Sequence, residues 1–207
     1  DGANWVPRNP VFDQAKVAAM VKAGVQRLTN MQLSDGGWGW FSGWGEQSYP
    51  HTTAYVVHGL QVAKANGVAI VPGVLERGIA WLENHQAEQI AIIKRWDKGL
   101  SPRKQYADNL DAFVFMVLVD AGKDNADMRE FLYRDRGHLA VYGKAMYGMA
   151  LHKTGQKDKL DMVMRNIGQF VVRDRENQTA YLNLGNGDYW WYWYGSEYEA
   201  QAYYLKL

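Results

Sequence analysis

LDAFVFMVLVDAG, from Leu110 to Gly122, decides how the chain folds. It is apolar on every side for more than two helical turns, and Gly122 ends it. A helix that is hydrophobic all round has to be covered all round, so it needs neighbours on every face. Asp108 or Asn109 stands where a cap would sit. Three other stretches share its mix of small, aromatic and aliphatic residues: HTTAYVVHGLQVA (His51 to Ala63), YGKAMYGMALHKTG (Tyr142 to Gly155) and EAQAYYLKL (Glu199 to Leu207). Each follows a more amphipathic, more charged helix. The apolar helices suit an inner layer and the charged ones an outer layer. Stacked helix pairs of this kind make an α/α toroid or an α-solenoid.

The fold class read from this pattern is all-α: a single α/α-toroid domain over residues 1–207, with an incomplete ring of about four helical hairpins. Nothing in the repeat gives a reason to stop there. Asp1 is not a Met and Leu207 falls inside an apolar-periodic run, so the expectation is a piece truncated at both ends of a longer protein.

The remaining elements follow from local signals. Val11, Ala15, Val17, Val21, Val25 and Leu28 predict a helix from Val11 to Asn30. A glycine-rich loop, SDGGWGWFSGWGEQSY, comes next, with Ser48 as a cap and Pro50 in the first turn of the following helix. Gly67 stops that helix. Pro72 opens another that runs toward Trp96. Asn125 caps a short helix, Leu139 to Thr154 forms the next, and Leu160 to Val172 follows. The period then changes. QTAYLNL and YWWYWY flank Gly185-Asn186-Gly187-Asp188, which predicts a small Trp/Tyr-rich β-hairpin, with Ser196 capping the last helix.

Composition narrows the chemistry. The chain has no cysteine, which removes disulfides, thiolate metal sites and a Cys nucleophile. A net charge of +1 gives no reason to expect nucleic acid. No apolar run approaches the roughly 20 residues that span a bilayer. His51, His58, His85, His138 and His152 are scattered, without metal-ligand spacing. Glu46, Asp97, Asp188, Glu197 and Glu199 lie in or beside loops, where sequence alone does not pair them for glycoside chemistry. Lys98, Arg103 and Lys104 read as a solvated loop, and Glu83, Glu88, Lys94 and Arg95 as the polar face of a long helix. No catalytic residue, metal ligand or cofactor is assigned.

The nine Trp and thirteen Tyr are the anomaly. Trp38, Trp40 and Trp44 are expected to close the glycine-rich loop over the helices. Tyr55, Phe113, Tyr147 and Tyr203 are expected to line the inner helices. Trp190, Trp191 and Trp193 belong to the hairpin, either as a plug on the helices or as a sugar platform. Gln32 to Trp38 resembles the Q-x-x-x-G-x-W motif of triterpene cyclases. Its physical reading is structural: Gln at a helix end caps backbone groups, glycine permits the tight turn, and Trp packs on the next helix. The D-x-D-D acid segment of those cyclases is missing; Asp108-Asn109-Leu110-Asp111 is the nearest and sits at a helix cap.

Four segments in order resemble the thioester-containing domain of the α2-macroglobulin family, in its bacterial branch. They are DGGWGWFSG with HTTAYVVHGLQVA, then NLDAFVFMVLVDAG, then VYGKAMYGMALHKTGQKDK, then NQTAYLNLGNGDYWWYWYGSEYEAQAYYLKL. The resemblance implies part of a toroid of about six hairpins. It also implies a periplasmic or extracellular parent that traps proteases, with other domains of that parent and, through it, target proteases as partners. In that family a Cys and a Gln of a C-x-E-Q segment form a thioester. Gly43-Trp44-Gly45-Glu46-Gln47 differs from such a segment at Trp44, which has no sulfur, and it abuts the His51 helix where the family has a helix between. Some complement-type members place a His in the loop corresponding to Asp97 to Ala107; this loop has none. The function read from the resemblance is a non-catalytic scaffold. An enzyme acting on polysaccharide or isoprenoid, and an aromatic-faced module for glycan or peptide, stay open as alternatives.

Overall fold

The computed structural model describes residues 13–41, 45–184 and 197–207. They form two compact units, one up to Ala80 and one from Trp81 onward. The described residues are mostly helical, with one small antiparallel hairpin among them.

The first unit holds α1 (Gln14–Met31), α2 (Pro50–Ala65) and the start of α3 (Val74–Lys94). Asp13 caps α1 by accepting from the Lys16 N–H at 3.0 Å. Val25 is the buried residue of α1, while Met20 is 59% exposed. Pro50 opens α2 as read from sequence, but Ser48 does not cap it. The N-cap is Tyr49, without a side-chain bond, because the Ser48 hydroxyl is turned to Asp35 instead. Thr53, Ala54, Val57 and Leu60 are the buried face of α2. Gly78 of α3 is required by closeness: a Cβ there would lie 2.8 Å from the Trp38 ring and 2.7 Å from Val57.

The second unit contains the rest of α3, α4 (Asn109–Asp120), α5 (Ala126–Arg134), α6 (Val141–Lys153), α7 (Lys157–Gly168), β1 (Val171–Asp174), β2 (Thr179–Leu182) and α8 (Glu197–Lys206). Every residue of α4 from Asp111 to Val119 is buried, as its all-round apolar sequence demands. α6 is buried almost as fully and packs against α4, α7 and α8. α5 and α7 bury only Met128 with Leu132, and Val163 with Ile167, leaving their charged faces outside. The inner and outer roles read from the repeat hold for these four helices. Each fully buried aliphatic side chain contributes about 1.5–3 kcal/mol.

A small hairpin forms among the described residues. β2 lies within QTAYLNL and pairs antiparallel with β1, Val171 opposite Leu182 and Asp174 opposite Thr179. The helix expected to reach Val172 therefore ends at Gly168. The physical reason is Asp174, whose carboxylate accepts from the Glu176 N–H (3.0 Å), the Asn177 N–H (3.1 Å) and the Asn177 amide (2.7 Å). That Asx-type turn closes a local hairpin. The aromatic arm with Trp190, Trp191 and Trp193, the Gly185–Asp188 turn and the Ser196 cap lie outside the described residues.

Candidate functional site

The first polar constellation is built on the turn after α1. Gln32, the C-cap of α1, donates its amide to Gly36 O and to Val74 O, both at 2.8 Å, and accepts from the Arg77 guanidinium. One side chain thus ties the end of α1 to the start of α3. Asp35 accepts from the Gly37 N–H (3.1 Å) and the Ser48 hydroxyl (2.7 Å). Trp38 is 1% exposed, and its indole N–H donates to Leu28 O at 2.8 Å. Its backbone N–H donates to the buried Thr53 hydroxyl oxygen at 3.0 Å. Its carbonyl accepts from the Tyr49 N–H at 2.9 Å.

Further along the loop, the two oxygens of Glu46 accept from the Trp40 and Phe41 N–H groups, each at 3.1 Å. The Gln47 amide donates to the Tyr49 hydroxyl at 3.0 Å. Both polar residues of the Gly-Trp-Gly-Glu-Gln segment hold the loop's own shape. Thr53→Val should cost about 1–3 kcal/mol, because it leaves the buried Trp38 N–H without an acceptor at nearly constant volume. Chemical denaturation of the two proteins measures this directly.

The second constellation was missed in the sequence, where Lys104 reads as a solvated charge. Its side chain is only 19% exposed and its ammonium reaches three acceptors. They are Asp111 at 2.7 Å, Asp108 at 2.8 Å and the side-chain amide oxygen of Gln89, on α3, at 3.0 Å. Asp108 also caps α4, accepting from the Leu110 and Asp111 N–H groups, while Asp111 accepts from the Asp108 N–H at 2.8 Å. Burial, reinforced by the Asp108 charge, pushes the Asp111 carboxyl up to about 6, against the pull of Lys104. Burial works against the Lys104 ammonium, but Asp111 and Asp108 outweigh it and hold its pKa above the lysine range. Burial and the nearby Lys104 push the His85 imidazole down, despite Glu88 and Asp108. The signal available in sequence was the spacing Lys104, Asp108, Asp111, one helical turn apart before an apolar run.

The same loop is fixed at its far end. Buried Asp135 accepts from the Ala107 N–H at 2.8 Å and from Arg134, which also donates to Gln105 O at 3.1 Å. Tyr106 stacks on His138 with ring centroids 4.2 Å apart.

The aromatic expectations divide. Phe113 and Tyr147 are buried in α4 and α6. The Tyr147 hydroxyl donates to Arg129 O at 2.8 Å, and burial pushes its phenol above the usual range. Tyr147→Phe should cost about 0.5–1.5 kcal/mol by removing this hydrogen bond; a thermal melt checks it. Tyr203 is half-buried on α8. Tyr55 does not line the interior. It is 40% exposed, because it falls off the Ala54, Val57 and Leu60 face, and lies edge-on to His51 at 4.7 Å. Burial pushes the His51 imidazole down to about 4. The Trp40 ring is 43% exposed, although its N–H is tied to Glu46. Trp44 is outside the described residues. Among the described residues, no group of three or more His, Asp or Glu side chains is placed to hold a metal.

The class defined by this geometry is a mostly helical fold with a small β-hairpin, in which polar clusters join loops to helices. Comparison with known proteins makes it more particular. No family model matches the chain. Over 66 residues, 32% of its length, it is 39% identical to the Alpha-2-macroglobulin of Thermotoga maritima, of which it spans 4%. Its fold matches the crystal structure of native alpha-2-macroglobulin from Escherichia coli, spanning domain MG7 to the C-terminus. That match has a TM-score of 0.52 over 73% of this chain and 24% of that one, at 21% identity, and is a likeness of fold. The chain is alpha-2-macroglobulin-like and spans a small part of either relative.

Proposed function

We propose that this chain is part of the thioester-type α/α toroid of a bacterial α2-macroglobulin-like protease trap, and that its role there is a scaffold's. The identity with the Thermotoga maritima protein is the observation that carries this reading. Two features support it. The two polar constellations are spent on joining helices and shaping loops. Apolar side chains also stand outside at both ends of the described chain, Met20 and Val21 on α1 and Tyr198 and Leu205 on α8. Such residues suit packing against other domains of a longer polypeptide. Among the described residues no helix is long and apolar enough to cross a membrane. The proposed setting is the periplasm or the cell exterior, with target proteases met through the parent protein.

The isolated chain should turn over neither polysaccharides nor isoprenoid diphosphates, and a chelator should change nothing. Turnover on such a panel would replace the scaffold with an enzyme. One observation favours a binding module as the second reading: Phe41 is 76% exposed beside Trp40. It requires a Trp fluorescence change on titration with an oligosaccharide or an apolar peptide, and a flat titration removes it.

A further inference from the structure

The segment between α3 and α4 is held from two sides. At its far end Asp135 and Arg134 grip Ala107 and Gln105, and Tyr106 lies on His138. In its middle a single side chain, Lys104, reaches both α3 and α4 through Gln89, Asp108 and Asp111. The middle grip therefore rests on one ammonium placed between two carboxylates. Asp111 stands in the first turn of α4, and its side chain is 2% exposed and bonded to the Asp108 N–H. Its burial belongs to the helix rather than to Lys104.

We propose that Lys104, Asp108 and Asp111 form an acid-released latch on the segment between α3 and α4. With both carboxylates ionised, Lys104 balances two negative charges and the latch is closed. On acidification one proton binds a carboxylate oxygen of Asp111, and no other bond changes. Lys104 is left with Asp108 and Gln89. The coupling is reciprocal: since Lys104 opposes protonation of Asp111, protonation of Asp111 weakens the hold on Lys104 by the same free energy. One pKa unit of such coupling is about a tenfold change in the open fraction. The charged and titratable groups around the latch are His85 and Glu88 on α3, Asp108 at the N-cap of α4, Arg134 at the end of α5, and Asp135 and His138 beyond it. The midpoint of about 6 for Asp111 places the transition between roughly pH 7 and 5.

Amide exchange on the 207-residue chain reads the latch at Ala107 and Asp108, both hydrogen-bonded through their N–H groups. Corrected for intrinsic exchange, their protection should fall about tenfold from pH 7.5 to pH 5, while that of the α4 interior does not fall. His85→Gln and His138→Gln should keep that response. In Asp111→Asn, trypsin at pH 7.5 should cut after Lys104 about tenfold faster than in the unsubstituted chain. Protection that stays level or rises on acidification overturns the latch, as does a response lost in either histidine variant. Should Asp111→Asn fail to fold, carboxyl NMR titration of Asp111 decides. Its midpoint should rise in Lys104→Met; a midpoint that stays or falls toward 4 overturns the proposal.

Discussion

Trp38→Ala is expected to destabilise the chain by about 3–5 kcal/mol, the largest effect of any single substitution considered. The ring is 1% exposed and fits against Gly78, where even a methyl group would meet it at 2.8 Å. Its removal leaves a void that a glycine on α3 has no side chain to fill. It also strips Leu28 O of its indole donor, in a place water does not reach freely. The backbone bonds of residue 38 to Thr53 and Tyr49 remain available, so the loss reports the ring and not the loop path. Trp38→Phe keeps part of the volume and should fall between the two. Urea unfolding monitored by circular dichroism gives these differences. A midpoint for Trp38→Ala equal to that of the unsubstituted chain would mean that the ring is not a keystone of the α1–α3 turn.

The second large effect is one of pH. The Asp111 carboxyl sits near 6 in the fold against about 3.9 in an unfolded chain. The folded state thus binds the proton more tightly. Its contribution to stability is fully present below the unfolded value and is lost as pH rises through about 6. A raised carboxylate pKa has the opposite sign to that of an exposed, paired Asp. The span between the two values corresponds to at most about 3 kcal/mol. Other carboxylates titrate in the same range, so the informative quantity is a difference. The stability of the unsubstituted chain minus that of Asp111→Asn should grow as pH falls from 7.5 to 4, by up to about 3 kcal/mol. A difference that is flat, or that shrinks, contradicts the buried carboxylate. This global gain is compatible with a local release of Lys104. The proton relieves a charge buried on α4 while weakening what that charge held.

Much of the helical architecture was legible because it rests on composition averaged over whole helices. Leu110 to Gly122 has no polar face, so it had to be interior, and every residue from Asp111 to Val119 is. The caps at Asp108 and Asn125, and the stops at Gly67, Gly122 and Gly155, were readable since each depends on neighbours within a few positions. The errors share the opposite property. Ser48 looked like a cap but bonds Asp35, thirteen positions earlier. Tyr55 looked like an inner residue because its helix is apolar, yet helical phase turns it off the buried face. Strand β1 was not foreseen because the preceding helix was read on to Val172, and its pairing with β2 depends on a short Asx turn at Asp174. Lys104 looked solvated because two of its three partners are one or two turns away along a loop-to-helix path, and the third comes from α3. Gln32 to Trp38 was readable in kind, a helix end closed by a Gln and a packed Trp. Its reach to Val74, forty-two positions on, was not.

One measurement tests the scaffold account most directly: size-exclusion chromatography of the longer polypeptide that carries this chain, mixed with an active endoprotease. The expected result is co-elution of the protease with the polypeptide in one large complex. The captured protease should still cleave small peptide substrates and should no longer cleave protein-sized ones. Deleting residues 13–207 should abolish the capture while leaving the protease active. A protease that elutes free and digests proteins at its full rate, with or without those residues, would contradict the trap and leave this chain without the role proposed for it.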